Sequence, residues 1–219
     1  MKNVVIYGST GPEIVKLLDA RRVMGKDDVH ILGFLDDNQA RDGASFVGLP
    51  VLGGSDLLRS IYVDCLVINN IARTTSIRWK AWCRLQDLGV RTYTAIHPSV
   101  DTTYAQVGEG CILQEGVILG PEVQIGPQTF INFKVSVGHA SEIAECCFIG
   151  SGVCINGRVK IEKGAFIGSG AMILPDVTIG AWSVVGAGSV VTNNVPPFTT
   201  VFEAPARVIM VHKQKDGVE

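Results

Sequence analysis

The group in this chain best suited to moving a proton at neutral pH is His139. It is the one histidine inside a long periodic block, since His30, His97 and His212 lie outside it. An imidazole with an ordinary pKa of about 6.5 takes a proton from a hydroxyl or an amine and can pass it on. A lone surface histidine is also commonplace, so its meaning depends on what holds it. Other reactive types offer little: the cysteines at 65, 83, 111, 146, 147 and 154 show no C-x-x-C and no ligand spacing, which reads as reduced, mostly buried thiols. No metal site is expected.

The block that holds His139 consists of fifteen consecutive six-residue units over 107–196, each opening on Val, Leu or Ile. That period fits neither an amphipathic helix nor an alternating strand. It belongs to parallel β-helices, in which each unit is one flat side plus a turn and three sides close a triangular coil. Fifteen units make five coils. The openers should point into the prism. The fifth positions, small or β-branched almost throughout, pack beneath them. Residues eighteen apart then lie one coil apart, about 4.8 Å at the sheet spacing. His139 is third in the unit 137–142, near a corner, where a side chain points outward into a cleft against a neighbouring copy.

Residues before the block read differently. Strands are expected at 4–7, 30–35, 63–68 and 91–96, with helices at 12–24 and 76–88, the second closed by Gly89. Strand alternating with helix predicts a small parallel sheet with Rossmann-like winding. The expected architecture is therefore an α/β domain over 1–98 and a β-helix domain with a C-terminal tail over 99–219. Ligands of such sheets sit at the carboxyl ends of the strands, which brings Gly8 to Pro12, Asp36, Asp37, Asn69, Asn70 and Arg73 to one rim. The loop Gly8-Ser-Thr-Gly11 lacks the full G-x-G-x-x-G pattern, so both a nucleotide and plain turn geometry explain it. Asp36 and Asp37 stand where acidic groups bind ribose hydroxyls, and equally where they cap the next segment.

A formal charge of −2 supplies no basic field for nucleic acid or an anionic bilayer. The uncharged stretch 177–202 keeps hexad spacing and two prolines, so it is β-helix wall and not a membrane span. The first ten residues run straight into a strand with no cleavage pattern, and a cytoplasmic location is expected.

The hexads, the run Gly168-Ser-Gly-Ala-Met-Ile-Leu-Pro-Asp-Val-Thr-Ile-Gly180, the run Val185-Gly-Ala-Gly-Ser-Val-Val-Thr192 and the ending Val195-Pro-Pro with Pro205-Ala-Arg207 resemble the hexapeptide-repeat, left-handed β-helix acyltransferases. With Phe34-Leu-Asp-Asp37 and Ile96-His-Pro-Ser99 added, nearly the whole chain resembles one branch, the bacterial sugar acetyltransferases. These N-acetylate nucleotide-linked amino-deoxysugars or O-acetylate sialic acid. The resemblance implies a homotrimer, acetyl-CoA in the groove between adjacent β-helices, and a nucleotide-linked amino sugar reaching from the N-terminal domain to a histidine base. His139 matches that base and Asn132 a pocket asparagine. Phe148, Gly157, Gly168, Ser169 and Ala187 fall at acetyl-CoA positions, and Thr10, Gly11, Pro12, Asp36, Asp37, Asn69 and Arg73 at the nucleotide end. The implied reaction is direct transfer: His139 removes the proton as the amine attacks the thioester, and a backbone N–H braces the developing negative charge.

The resemblance breaks at several of its working positions. Ala140 replaces the acidic residue that usually follows the base, and Glu122, eighteen residues earlier, is expected to act in its place. Phe148 replaces a second histidine, Pro12 the histidine of the glycine loop, Ile68 a glycine near the nucleotide, and Glu203 a glycine before Pro-Ala-Arg. These departures suggest an altered substrate or a weakened activity. Sugar O-acetylation of the sialic-acid type and a non-catalytic nucleotide-sugar-binding trimer are the alternatives. A zinc enzyme of the γ-carbonic anhydrase type needs three converging histidines, which this chain does not supply. An oxidoreductase is disfavoured by the incomplete glycine loop.

Overall fold

The computed structural model describes residues 2–26, 29–60, 62 and 64–213. Val63, the expected start of the third strand, and residues 214–219 of the tail lie outside them. β1 (Lys2–Tyr7), β2 (Val29–Leu35), β4 (Leu49–Gly53) and β5 (Leu66–Asn69) pair in parallel in the order β4-β2-β1-β5, and β3 (Ser45–Phe46) closes the edge antiparallel to β4. The β3–β4 hairpin is not announced by the sequence pattern. Pro50 inside β4 cannot donate to a ladder and demotes the segment as a strand, while Val47 and Gly48 turn it with positive φ.

α1 (Glu13–Val23) starts after Pro12 at its N-cap and buries Ile14, Val15, Leu17 and Leu18 against the sheet. α2 (Thr75–Asp87) is capped by the Thr74 hydroxyl, which accepts from the Ile77 N–H at 3.3 Å. The expected last strand at 91–96 does not join this sheet. Only Thr92 bridges Val67, and the segment then leaves as β6 (Ala95–Ile96), which pairs with Ile112–Leu113 of the β-helix. Ala95 is fully buried, and it can be covered only where the two parts meet.

From Gln106–Val107 to Val190–Val191 the chain makes two-residue strands every six residues, fifteen in all, stacked as three parallel faces of five coil strands each. This architecture fits a left-handed β-helix. Each coil hydrogen-bonds to the next in a register of eighteen residues, for example Val137 beside Ile155 and Ile155 beside Ile173. The openers from Ile125 onward are at most 4% exposed and form one aliphatic column with the fifth-position residues. Close stacking needs glycine at some second positions. A Cβ on Gly138 would lie 2.5 Å from the Asn156 carbonyl carbon and the Gly157 nitrogen.

The outward residues give the three faces different chemistry. One carries Gln106, Gln124, Glu142, Lys160 and Thr178 and faces water. A second carries Ile112, Phe130, Phe148, Phe166 and Val184. Phe148 there stacks on Phe166 at 4.9 Å and 10°, and the lower part lies against the α/β sheet. This aromatic face is extended by β22 (Thr199–Phe202) and its antiparallel partner β23 (Arg207–Val211). The third carries Ile118, Ser136, Cys154, Met172 and Val190, with Ile118 67% and Met172 42% exposed.

Arg78 of α2 rivets the two parts together. Its side chain is fully buried, donates to the carbonyls of Gln128 at 2.5 Å, Asn69 at 2.7 Å and Ile71 at 3.0 Å, and lies over the Phe130 ring. Burial pulls its pKa down to about 10, so it stays charged at neutral pH, neutralised by carbonyl dipoles with no carboxylate paired to it among the described residues. Arg78→Ala strands those carbonyls and opens a cavity. It should destabilise the protein by about 3 kcal/mol, read from urea midpoints, with Arg78→Lys losing less.

Candidate functional site

The carboxyl ends of the strands form the expected rim, cross-tied by Gly8 N–H to Leu35 O, Asp36 N–H to Gly53 O and Asn70 N–H to Tyr7 O, each within 2.9 Å. Asn70, one of the expected rim residues, is buried and shapes the glycine loop. Its side-chain amide donates to the carbonyls of Gly8, Thr10 and Gly11 at 3.2, 2.9 and 3.0 Å. Gly8 and Gly11 sit at φ +103° and +87°, a region closed to most side chains.

Asp36 and Asp37 are both engaged within the chain. One oxygen of Asp36 accepts from the Ser9 N–H, the Ser9 hydroxyl and Arg41, and the other from the Asn38 N–H. Burial works to raise its pKa, but the hydrogen bonds from Ser9 and Asn38 and the Arg41 charge outweigh it, and the carboxyl sits below its usual range. Asp37 accepts from the Tyr7 hydroxyl and from the Ser55 N–H at 2.7 Å. Burial and this carboxylate push Tyr7 up to about 12. Asn69 is turned inward: 1% exposed, it donates to Arg78 O and Gln128 Oε1 and accepts from the Ile71 N–H. Thr10 and Arg73 are exposed, and Gly11 and Pro12 are half-buried. Arg73 edges an apolar cleft of about 330 Å³ between the start of α2 and Phe166, Trp182 and Val184 of the aromatic face.

His139 is exposed at the corner between the third face, that of Ser136 and Cys154, and the polar face. Its ring rises along the prism axis onto the next coil. A Cβ on Gly157 would lie 2.7 Å from His139 Nε2 and 3.1 Å from Cδ2 and Cε1. Gly157, one coil above, is therefore the floor on which the imidazole rests. Asn132 lies one side of the prism away, after the aromatic-face strand Phe130–Ile131, with its Oδ1 accepting from the Phe133 N–H at 2.8 Å. Gly168, Ser169 and Ala187 gather at that same second corner, where Ser169, Gly170, Ala187 and Gly188 make an exposed shelf of small residues. Phe148 stands on the aromatic face, half-buried in the phenylalanine stack. Glu122 is exposed one coil below Ala140 and makes no hydrogen bond or ion pair with His139 among the described residues.

A single chain thus groups Gly8 to Pro12, Asp36, Asp37 and Asn70 at the rim, turns Asn69 inward, leaves Arg73 at the cleft beside the aromatic face, and sets His139 with Gly157 apart from them all. The α/β sheet covers the aromatic face, and His139 occupies the corner opposite that face. No helix among the described residues is long and apolar enough to cross a membrane.

Residues 158–193 match the family of bacterial transferase hexapeptides. Over 98% of both chains, at 28% identity and a TM-score of 0.85, the fold matches perosamine N-acetyltransferase from Caulobacter crescentus, seen as a histidine-to-asparagine variant with CoA and GDP-perosamine. It also matches WeeI from Acinetobacter baumannii at 26% identity, covering 95% of this chain and 100% of that one, TM-score 0.82. The acetyltransferase domain of PglB from Neisseria gonorrhoeae, 23% identical over 95% of this chain and 100% of that one, shares the fold with a TM-score of 0.86. No curated protein matches the chain.

Two glycines separate positioning from stability. In Gly157→Ala the new methyl meets the movable end of His139, so the imidazole is displaced while the melting temperature stays within a degree or two of the parent. In Gly168→Ala the Cβ meets backbone, 2.5 Å from Ala187 N, and the variant should lose about 2 kcal/mol of stability. Paired thermal melts and His139 NMR shifts check both outcomes.

Proposed function

We propose that this chain, which shares the fold of the sugar N-acetyltransferases and matches the bacterial transferase hexapeptides over 158–193, N-acetylates a nucleotide-linked amino-deoxysugar with acetyl-CoA as donor and His139 as general base. The observation that carries this reading is the setting of His139: an exposed imidazole backed against a glycine, at a corner where a neighbouring copy can close the cleft.

The division of labour follows the chain. Residues 1–98 form a Rossmann-like domain that binds the nucleotide. Thr10, Gly11, Pro12 and Arg73 line the open side of its rim, while Asp36 and Asp37 hold the rim in shape through Ser9, Arg41, Tyr7 and Ser55. Residues 99–219 form the acyltransferase domain. The exposed shelf of Ser169, Gly170, Ala187 and Gly188 lets an extended chain lie close to backbone N–H groups, which suits a pantetheine arm. Phe148 offers an apolar ring there and no hydrogen bond. A bound acyl-CoA would supply the thioester carbonyl that accepts the amine. As the amine nitrogen bonds to the acyl carbon and the carbon–sulfur bond breaks, His139 would take the proton from the nitrogen and return it to the departing sulfur, so that the amide and free CoA thiol leave and the imidazole is again neutral.

The rim and His139 face apart within one copy, so a working site requires a second copy to bring its rim to the first copy's His139. The third face of the β-helix, with Ile118 and Met172 exposed, supplies the apolar surface for such an assembly. Three copies around one axis satisfy all three sites at once, and a homotrimer in the cytoplasm is the proposed form.

Thiol release from acetyl-CoA against a panel of nucleotide-linked amino sugars tests the reaction. Turnover with at least one such sugar is expected, and His139→Ala should lower kcat by roughly 10²- to 10⁴-fold while CoA still binds. Full turnover in that variant would overturn the base assignment.

A further inference from the structure

The corner that carries His139 is built as a ladder, one residue per coil: Tyr104, Glu122, Ala140, Arg158 and Asp176, all left-handed with φ between 52° and 64°. Their backbone N–H groups climb it in steps, Ala140 to Pro121 O, Arg158 to His139 O at 2.9 Å and Asp176 to Gly157 O at 3.2 Å. Side chains on this ladder flank the imidazole, and Ala140 leaves its own rung bare.

Because Nε2 of His139 rests against Gly157, one coil above, the ring points toward Arg158 and Asp176 and away from Glu122 below. Arg158 grips Asp176 as a two-pronged fork, Nε to Oδ1 at 2.7 Å and Nη2 to Oδ2 at 2.8 Å. Such a fork fixes the carboxylate's orientation and leaves it further lone pairs to offer. His139 is also among the charges that favour the ionised form of Asp176, after Arg158. The two groups therefore lie within electrostatic reach.

We infer that Asp176, held by Arg158, is the carboxylate whose charge supports His139 in proton transfer, acting through space since no hydrogen bond or ion pair joins the two among the described residues, a role that the methyl of Ala140 cannot perform and that falls to Asp176 because the ring rises away from Glu122. The inference rests on the acyl-transfer reading. Asp176 stabilises the imidazolium that forms as His139 takes the proton, and Arg158 offsets part of that carboxylate charge. The remaining charged groups around the corner are Glu122 below and Glu142 and Lys160 on the adjoining polar face.

The signs of the two members are opposite, which separates this arrangement from a merely structural ion pair. Asp176→Asn leaves Arg158 unopposed and should lower the His139 titration midpoint by about 0.5 pH unit, whereas Arg158→Gln leaves Asp176 unopposed and should raise it by about as much. The double variant returns close to the parent, and Glu122→Gln stays unchanged. The midpoints are read on the full-length protein from the imidazole proton resonances between pH 5 and 9, with His139 assigned by His139→Gln. The acid limb of kcat/KM should move in the same directions. Midpoints that do not move, that move the same way in both variants, or that respond instead to Glu122→Gln would overturn the assignment. The titration needs neither sugar nor CoA. Opposite shifts with no turnover in the unaltered protein would overturn the acyl-transfer reading and leave the coupling of Asp176 to His139 standing.

Discussion

Everything that works in this molecule depends on a register of eighteen residues. Each coil is tied to the next by backbone hydrogen bonds and by an aliphatic column that admits no slip, because a shift of one residue would turn the openers outward. That constraint, more than any side-chain contact, decides which residues are neighbours. It sets Gly157 above His139, Arg158 above Ala140 and Asp176 above Arg158. Corner side chains are thereby held on a stiff frame rather than on loops, and stiffness is what a positioned base requires.

The second constraint is the junction at Arg78. A buried guanidinium is costly unless its donors are used, and here three carbonyls from both parts of the chain and the face of Phe130 share it. Asn69 belongs to the same knot, since its amide reaches Arg78 O and Gln128 Oε1. The α/β sheet is therefore locked at one angle against the aromatic face. With that face covered and the polar face hydrated, the face of Ile118 and Met172 is the one on which the proposed assembly would form.

Much of this was legible in the residues themselves. The hexad period announces the coils, the inward openers and the corner position of His139, because packing in a β-helix is nearly one-dimensional. The α/β part was read less well. The β3–β4 hairpin is hidden by Pro50, and the segment 91–96 carries a good strand pattern yet ends against the β-helix. Asn69 has the composition of a rim ligand, but the direction of an amide is settled by a distant partner, Arg78, that no local pattern reveals. The inferred carboxylate partner of His139 shows the limit most clearly. Counting eighteen downward from Ala140 reaches Glu122, and counting eighteen upward twice reaches Asp176. Arithmetic alone does not choose, and the direction of the ring over Gly157 is what favours the upper one in our inference.

The placement of the rim beyond the aromatic face, and of the imidazole at the corner opposite that face, carries a genetic consequence. In an assembly of the proposed kind, each catalytic unit is half one polypeptide and half its neighbour, so damage to the nucleotide end and damage to the proton-accepting end need not fall on the same unit. Two inactive alleles, one broken at Thr10 or Gly11 and the other at His139, could then restore a fraction of working units when expressed together in one cell. Dominance relations between such alleles would reflect the threading of one chain's contribution into the next chain's cleft.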